Sequence, residues 1–327
     1  MRTYEGDPMR ATAIALGCSA LTLGLVGSAH GSAFPGENGD VVFTSNRTGN
    51  FEIFTMSPDG SNVQQLTDNT SDDGNPSWAA GGRRIVFASN RTGNSEIFVM
   101  NADGSNQRNL SRNSTDCTGL TGEDLTTCEA EGEDGQPSFS PDGRSIVFVS
   151  FRASGLGLWL MDSDGSNQRQ LSEGGVQPTW SPNGEWIAYS DGVDQGDEVG
   201  DDAVLDTDIF LIRPDGTDKH ALVSIEGEKE FAPSWSPSGS QIAFVSDMTG
   251  RDQVYVMNID GTGMRQLTTS GANTDPAWSA DGEYVYVTST RNGNSDVVQV
   301  PVGSGKAVNL TKANTTRDLQ PNSQPAR

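Results

Sequence analysis

Short apolar runs recur along the chain at intervals too regular for chance. Ile85 to Ala88, Ile146 to Val149, Ile187 to Tyr189, Ile242 to Val245 and Val285 to Val287 are rich in β-branched and aromatic residues, and turn residues such as Gly, Asn, Asp and Pro lie around them. Such composition and length read as strands. A second run follows each after a turn of the "NRTGN" type, as in Glu96 to Met100 and Gln253 to Met257. An Asp-Gly turn then leads to a last short piece ending in Leu110, Leu171, Leu222, Leu267 or Leu310. Ahead of each set stands Pro-x-aromatic, with Trp78, Phe139, Trp180, Trp235 and Trp278 in the aromatic place. Asp-Gly and Asn-Gly between apolar runs predict hairpins. No stretch keeps a 3.6-residue period, so helices are expected to be nearly absent.

The four pieces form one repeating unit. "SNRTGNFEIFTMSPDGSNVQQLT" at residue 45 returns almost unchanged as "SNRTGNSEIFVMNADGSNQRNLS" at residue 89, and whole units open at Pro76, Pro137, Pro178, Pro233 and Pro276. Two intervals are lengthened by insertions, one containing Cys117 and Cys128 and one the acidic stretch "DGVDQGDEVGDDAVLDTD" at 191–208. A lone four-stranded sheet cannot bury both faces, whereas like sheets stacked around an axis can. The two ends of the repeat array are complementary. The first unit begins directly at its second piece, Val41 to Thr44, and "DLQPNSQPAR" at the C-terminus supplies the missing first piece, with Pro321 in the place of Pro276. The expectation is an all-β, six-bladed β-propeller of four-stranded antiparallel blades, closed by the C-terminal strand completing the N-terminal blade; a linear solenoid is the alternative. Ser323 stands where the other units carry an aromatic residue, so a weaker closure is expected there.

The repeated P-[ST]-W-S-P-x-G-x-x-I-A-F-x-S…[DE]-I-[FY]-x-M-x-x-D-G…L-T resembles the repeat of the TolB-like propeller family across residues 34–327. The resemblance implies an exported bacterial propeller that often serves as a protein-interaction scaffold. TolB itself carries a further α/β domain, for which no stretch is found between Ala33 and the first blade, so its full role is not implied. The same repeat builds the propeller halves of prolyl-oligopeptidase-like peptidases, but the sequence has no G-x-S-x-G elbow to support a peptidase reading.

Charge and leader narrow the setting. A net charge of −23 disfavours nucleic acid and anionic membrane as partners and favours a protein or basic peptide segment. Residues 1–33 read as a signal peptide, with Met9 as an alternative start and cleavage after Ala33. The mature chain is then periplasmic or extracellular, without an integral membrane span, and expected to be monomeric. Cys18 offers a lipid anchor as a minor alternative. In an oxidising compartment Cys117 and Cys128 would form a disulfide within their polar insertion.

Candidate chemistry is sparse. His220, on an outermost strand, is expected to be an exposed polar residue, and no His-based catalytic or metal site is expected. Arg47 with Glu52, Arg91 with Glu96, and Arg291 with Asp296 are spaced for ion pairs across one hairpin turn. Three residues before each strand-opening Pro stand Asp73, Asp134, Gly175, Glu230, Asn273 and Asp318. Five of these are expected to ring one mouth of the channel with acidic or amide groups that receive a cation or a basic segment; the competing expectation is that each acid caps its own turn. Within 191–208, Asp194, Asp197, Asp201 and Asp202 are the candidate ligands for calcium, the one cofactor considered, although their spacing departs from the EF-hand loop. The expected function is a non-catalytic binding scaffold; the alternative is a carbohydrate-active lyase or hydrolase using channel carboxylates.

Overall fold

The structure, a computed structural model, describes residues 34–113, 132–152, 155–193, 206–312 and 316–325. It contains six four-stranded antiparallel sheets and, among the described residues, no helix. Blade 1 holds β1 (Asn38–Ser45), β2 (Glu52–Met56) and β3 (Gln64–Gln65), and its innermost strand is the last of the chain, β24 (Asp318–Pro325). Blade 2 runs outward from β4 (Asp73–Trp78) through β5 (Arg84–Ser89) and β6 (Glu96–Asn101) to β7 (Arg108–Asn109). Blade 3 comprises β8 (Glu133–Phe139), β9 (Ser145–Arg152), β10 (Gly155–Asp162) and β11 (Arg169–Glu173). Blade 4 comprises β12 (Val176–Trp180), β13 (Ile187–Val193), β14 (Asp206–Ile212) and β15 (His220–Val223). Blade 5 is β16 (Glu230–Trp235), β17 (Gln241–Ser246), β18 (Gln253–Asn258) and β19 (Arg265–Gln266), and blade 6 is β20 (Asn273–Trp278), β21 (Tyr284–Ser289), β22 (Asp296–Pro301) and β23 (Val308–Asn309). The inner strands touch in a closed circuit, β24 to β4, β8, β12, β16, β20 and back to β24.

The inner-strand aromatics are the wedges between blades. Trp78 packs with Val42 and Ile53 of blade 1 and with Phe87 and Phe98 of its own blade. Trp180, Trp235 and Trp278 repeat this at the next seams, and Phe139 does so between blades 2 and 3. Fully burying one such side chain stabilises the fold by about 3 kcal/mol. At the closing seam Val41, Phe43, Phe54 and Met56 meet Tyr286 and Val297 without an inner-strand aromatic. Ser323 is 2% exposed there and its hydroxyl has no partner among the described residues. Polar contacts from β24 tie the ring shut. Asn322 Oδ1 accepts from Trp78 N at 2.8 Å, Gln320 Oε1 accepts from Asn75 N at 3.0 Å, and Gln324 Nε2 donates to Gly82 O at 2.6 Å.

Each inner strand bulges at the residue before its proline. Asn75, Gln136, Gln177, Ala232, Asp275 and Gln320 all have φ between 52° and 60°, and the pairing register shifts at the same place, as between Gly74 and Ser77. A bulge accommodates proline, which has no N–H for the ladder. The left-handed backbone is costly for these residues and persists because neighbouring blades hold it. Gln136 Oε1 accepts from Gln177 N at 2.7 Å, and Gln177 Oε1 in turn accepts from Ala232 N at 2.9 Å, so blades 3, 4 and 5 are linked in series.

Candidate functional site

Asp73, Asp134, Glu230, Asn273 and Asp318 stand where expected, at or next to the first residue of an inner strand, but they do not line an aperture. All five are at most 3% exposed. Backbone N–H groups explain the placement of four of them: Asp73 N donates to Phe51 O, Asp134 N to Ser95 O, Asn273 N to Asp252 O and Asp318 N to Ser295 O, each across to the preceding blade. The side chains therefore lie in the seams. The expected accessible ring of acidic and amide groups is corrected to a set of buried polar clusters, because a buried carboxylate must find a partner or lose its charge.

For three of them that partner is an arginine two residues past the second strand's final serine, or its equivalent. Arg47 reaches Asp318 at 2.9 Å, Arg91 reaches Asp73 at 2.7 Å and Arg152 reaches Asp134 at 3.4 Å. The expected pairs of Arg47 with Glu52 and Arg91 with Glu96 give way to these. The guanidinium is also sandwiched on aromatic rings: Arg47 lies 5.2 and 4.8 Å from the Phe43 and Phe54 centroids, Arg91 5.5 and 4.8 Å from Phe87 and Phe98, and Arg152 4.1 Å from Trp159. A planar, weakly hydrated cation suits this site better than lysine would.

Opposite each inner-strand residue stands the first residue of the preceding blade's third strand, or its equivalent, and the two positions match in kind. Glu52 faces Asp73, with Asn69 Nδ2 bridging them at 3.4 and 2.8 Å. Gln253 faces Asn273 at 3.1 Å, an amide against an amide. Gly157 and Gly175 occupy the two places at the seam of blades 3 and 4, and there Lys219 supplies the cation, 2.8 Å from Asp191 and 5.1 Å from the Phe210 centroid. At the seam of blades 4 and 5, Glu230 accepts from Ser246 Oγ and Ile225 N, both at 3.0 Å, and Met248 holds the arginine place. Beside Asp134, burial pushes Glu133 up to about 7, with the Asp134 and Glu96 charges adding to the shift. Burial pushes Asp134 up to about 6 against the opposing pull of Arg152.

The accessible surface carries different residues. On the face where inner strands begin, a polar cavity of about 540 Å³ is lined by Asn46, Asn50, Phe51, Asp72 and Asn90 between blades 1 and 2. On the opposite face the Asp-Gly turns present Asp59, Asp103, Asp164, Asp215 and Asp260, one from each of blades 1 to 5. Each carboxylate accepts a Ser or Thr hydroxyl at 2.5–2.7 Å, which holds it below the usual carboxylate range. In the sequence these aspartates read as turn formers, and their recurrence in the Asp-Gly turns of successive units is the signal that marks them as a set. The same face has a second cavity, of about 390 Å³, between blades 4 and 5, bordered by Trp186 and Trp235. His220 is exposed as expected and meets the Trp186 ring edge to face at 5.2 Å. Cys117, Cys128, Asp194, Asp197, Asp201 and Asp202 lie outside the described residues. Among the described residues no three His, Cys, Asp or Glu side chains are grouped to hold a metal, and no helix is long and apolar enough to cross a membrane.

Known proteins share this architecture. The chain is 34% identical over 129 residues to a TolB homolog of Chlorobium luteolum, which covers 39% of this chain and 27% of the relative. It is 27% identical over 170 residues to an uncharacterized peptidase of Bacillus subtilis, covering 50% of this chain and 23% of the relative. The chain thus spans less than a third of either curated relative. The crystal structure of TolB from Acinetobacter baumannii superposes with a TM-score of 0.69 at 16% identity, over 90% of this chain and 68% of that one. An oligogalacturonate lyase of Vibrio parahaemolyticus superposes at 0.53 with 15% identity, over 85% and 91%. Enzymes and non-enzymes thus share the fold. The family signature described as the TolB beta propeller domain matches residues 23–121 and 157–326, most of the chain, and with the six closed blades it makes this protein a member of the TolB β-propeller family.

Proposed function

We propose that this protein is an exported, non-catalytic scaffold whose partner is a protein presenting a basic segment. The observation that carries the reading is the set of five turn aspartates, ionised, pre-oriented by their own hydroxyl partners and repeated around one face of a rigid ring. Fixed charge of one sign steers and orients an oppositely charged partner without needing to be buried. The seam carboxylates do not serve this purpose, since they hold blades together. The test is capture from envelope and culture extract with the protein and with a variant carrying Asn at Asp59, Asp103, Asp164, Asp215 and Asp260. Asparagine still accepts the turn hydrogen bonds, so the variant loses charge and keeps shape. A protein held by the native bait and released by the variant supports the scaffold; equal retention by both removes the aspartate face from it. Repeating the capture with calcium present tests whether the acidic insertion contributes.

A second reading, a carbohydrate-active enzyme, has one observation in its favour: Glu133, pushed up to about 7, is in the range of a general acid. Oligogalacturonate, the substrate class named for the Vibrio neighbour, is the first substrate to try. Turnover lost in Glu133→Gln would establish this reading, and no turnover by the native protein would leave the scaffold alone.

A further inference from the structure

The place before the third strand's opening residue, or its equivalent, is aromatic in one blade alone. Ser95, Leu156, Thr207, Asp252 and Ser295 hold it in blades 2 to 6, whereas blade 1 has Phe51. Phe51 belongs to none of the core clusters and is only half-buried. It lines the polar cavity of about 540 Å³ between blades 1 and 2, a volume within the range of small-molecule sites, about 300–1,000 Å³. The Arg317 guanidinium, 5.7 Å from the Phe51 centroid, is not part of that lining. An aromatic side chain that builds no core and borders a polar cavity is not explained by folding.

The cavity wall is held by its own hydrogen bonds, which also decide what it offers. Asn50 Nδ2 donates to Asn69 O at 3.2 Å and to Ser71 O at 2.6 Å, locking the β1–β2 turn to the connection between β3 and β4. Asn46 Oδ1 accepts from Arg317 N at 2.7 Å, and Asn90 Oδ1 accepts from Asp72 N at 2.9 Å. A backbone N–H requires the oxygen of each amide, so both Nδ2 groups remain as donors with no acceptor among the described residues. Asp72 Oδ1 accepts from Phe51 N at 2.8 Å, which leaves Oδ2 as an acceptor, and the Thr70 and Ser71 hydroxyls have no partner among the described residues. The lining thus holds one carboxylate and no basic group.

We propose that this cavity binds a neutral pyranose unit of a glycan. Amide donors, a carboxylate acceptor and hydroxyls set within one cavity are matched by vicinal sugar hydroxyls, each of which donates and accepts, while the C–H face of the sugar lies against Phe51. An ammonium cannot use the two amide donors, and a phosphate or uronate would meet the Asp72 charge. The site binds and does not cleave, because most glycosidases need two carboxyl groups and the lining supplies Asp72 alone. It lies on the face opposite the five turn aspartates, so the proposal does not rest on the scaffold reading, and a sugar and a protein partner would be held at once.

The test applies the full chain to an array of immobilised oligosaccharides, neutral ones built from glucose, galactose, mannose and N-acetylhexosamines beside uronate-bearing ones. The retained sugar is then titrated in solution and followed at the side-chain amide resonances of Asn46 and Asn90 by NMR. Retention of a neutral glycan and saturable shifts of both amides are expected. Phe51→Ser, which introduces the residue that blades 2 and 6 carry at this place, should keep the fold and weaken binding about tenfold. Asp72→Asn still accepts from Phe51 N but turns the second oxygen into a donor, and should weaken binding to a similar degree. No retained neutral glycan, retention of uronates alone, shifts absent from both amides, or undiminished affinity in either folded variant would overturn the proposal. The variant with asparagine at the five turn aspartates should bind the sugar as the native protein does, so failure here and failure of the extract capture are separate results.

Discussion

Replacing Asp73 by asparagine tests the seam clusters most directly. The carboxylate is fully buried, and Arg91 is held by Asp73 at 2.7 Å, Gln107 Oε1 at 2.6 Å and Ser89 Oγ at 2.7 Å. Breaking a buried pair by removing one member costs about 3–5 kcal/mol. Two features reduce that figure. The Arg91 side chain is 22% exposed, so water recovers part of the loss, and the Asp73 charge is among the causes that hold Glu52 above its ordinary pKa, after burial itself. A net destabilisation of about 2–3 kcal/mol is therefore expected, or a melting temperature lowered by about 4–10 °C. The seam of blades 5 and 6 indicates the rescue, since Gln253, Asn273 and Arg291 occupy the same three places there without a carboxylate. Adding Glu52→Gln to Asp73→Asn recreates that set and should recover at least about 1 kcal/mol relative to additivity. The assay is thermal unfolding followed by circular dichroism for the two single variants and the double. An Asp73→Asn variant as stable as the native protein, or strictly additive effects, would refute the reasoning.

Three further outcomes follow from the same structure. Folded Glu133 binds its proton near pH 7, whereas the unfolded residue does so near 4.5, so between these values the folded state holds the extra proton and gains stability as pH falls; the rise in melting temperature from pH 8 to pH 5.5 should be smaller in Glu133→Gln than in the native protein. Gly104 and Gly261 share a left-handed φ of about 81° and 82°, but a Cβ on Gly104 would meet Leu66 O at 2.6 Å while one on Gly261 would meet nothing within 4 Å. Gly104→Ala should therefore melt several degrees below Gly261→Ala, and equal melting temperatures would show that turn strain alone matters. Ser323→Ala removes a buried hydroxyl that has no partner among the described residues, so stability should be unchanged or raised by up to about 1 kcal/mol in urea denaturation.

The sequence by itself determined the blades. Short continuous apolar runs, Asp-Gly turns and a repeat with complementary ends leave few ways to bury both faces of a four-stranded sheet, and the closure of β1 by β24, with Val41 opposite Ser323, follows that logic residue by residue. It also located Asp73, Asp134, Glu230, Asn273 and Asp318 at equivalent points of the ring, because equivalence in a repeat is a property of spacing. Which way those side chains turn was decided only in the tertiary structure. Arg91 lies five residues from Glu96 and eighteen from Asp73, yet it pairs with Asp73, because the strands of one blade bring it over Phe87 and Phe98 with its donors toward the inner strand. The left-handed residues before each proline and the cleft between Trp186 and Trp235 are likewise products of one blade pressed on another. Local patterning fixes what a segment becomes, whereas burial, charge pairing and empty space are settled by neighbours distant in the chain, and these decide which groups are left to meet a partner.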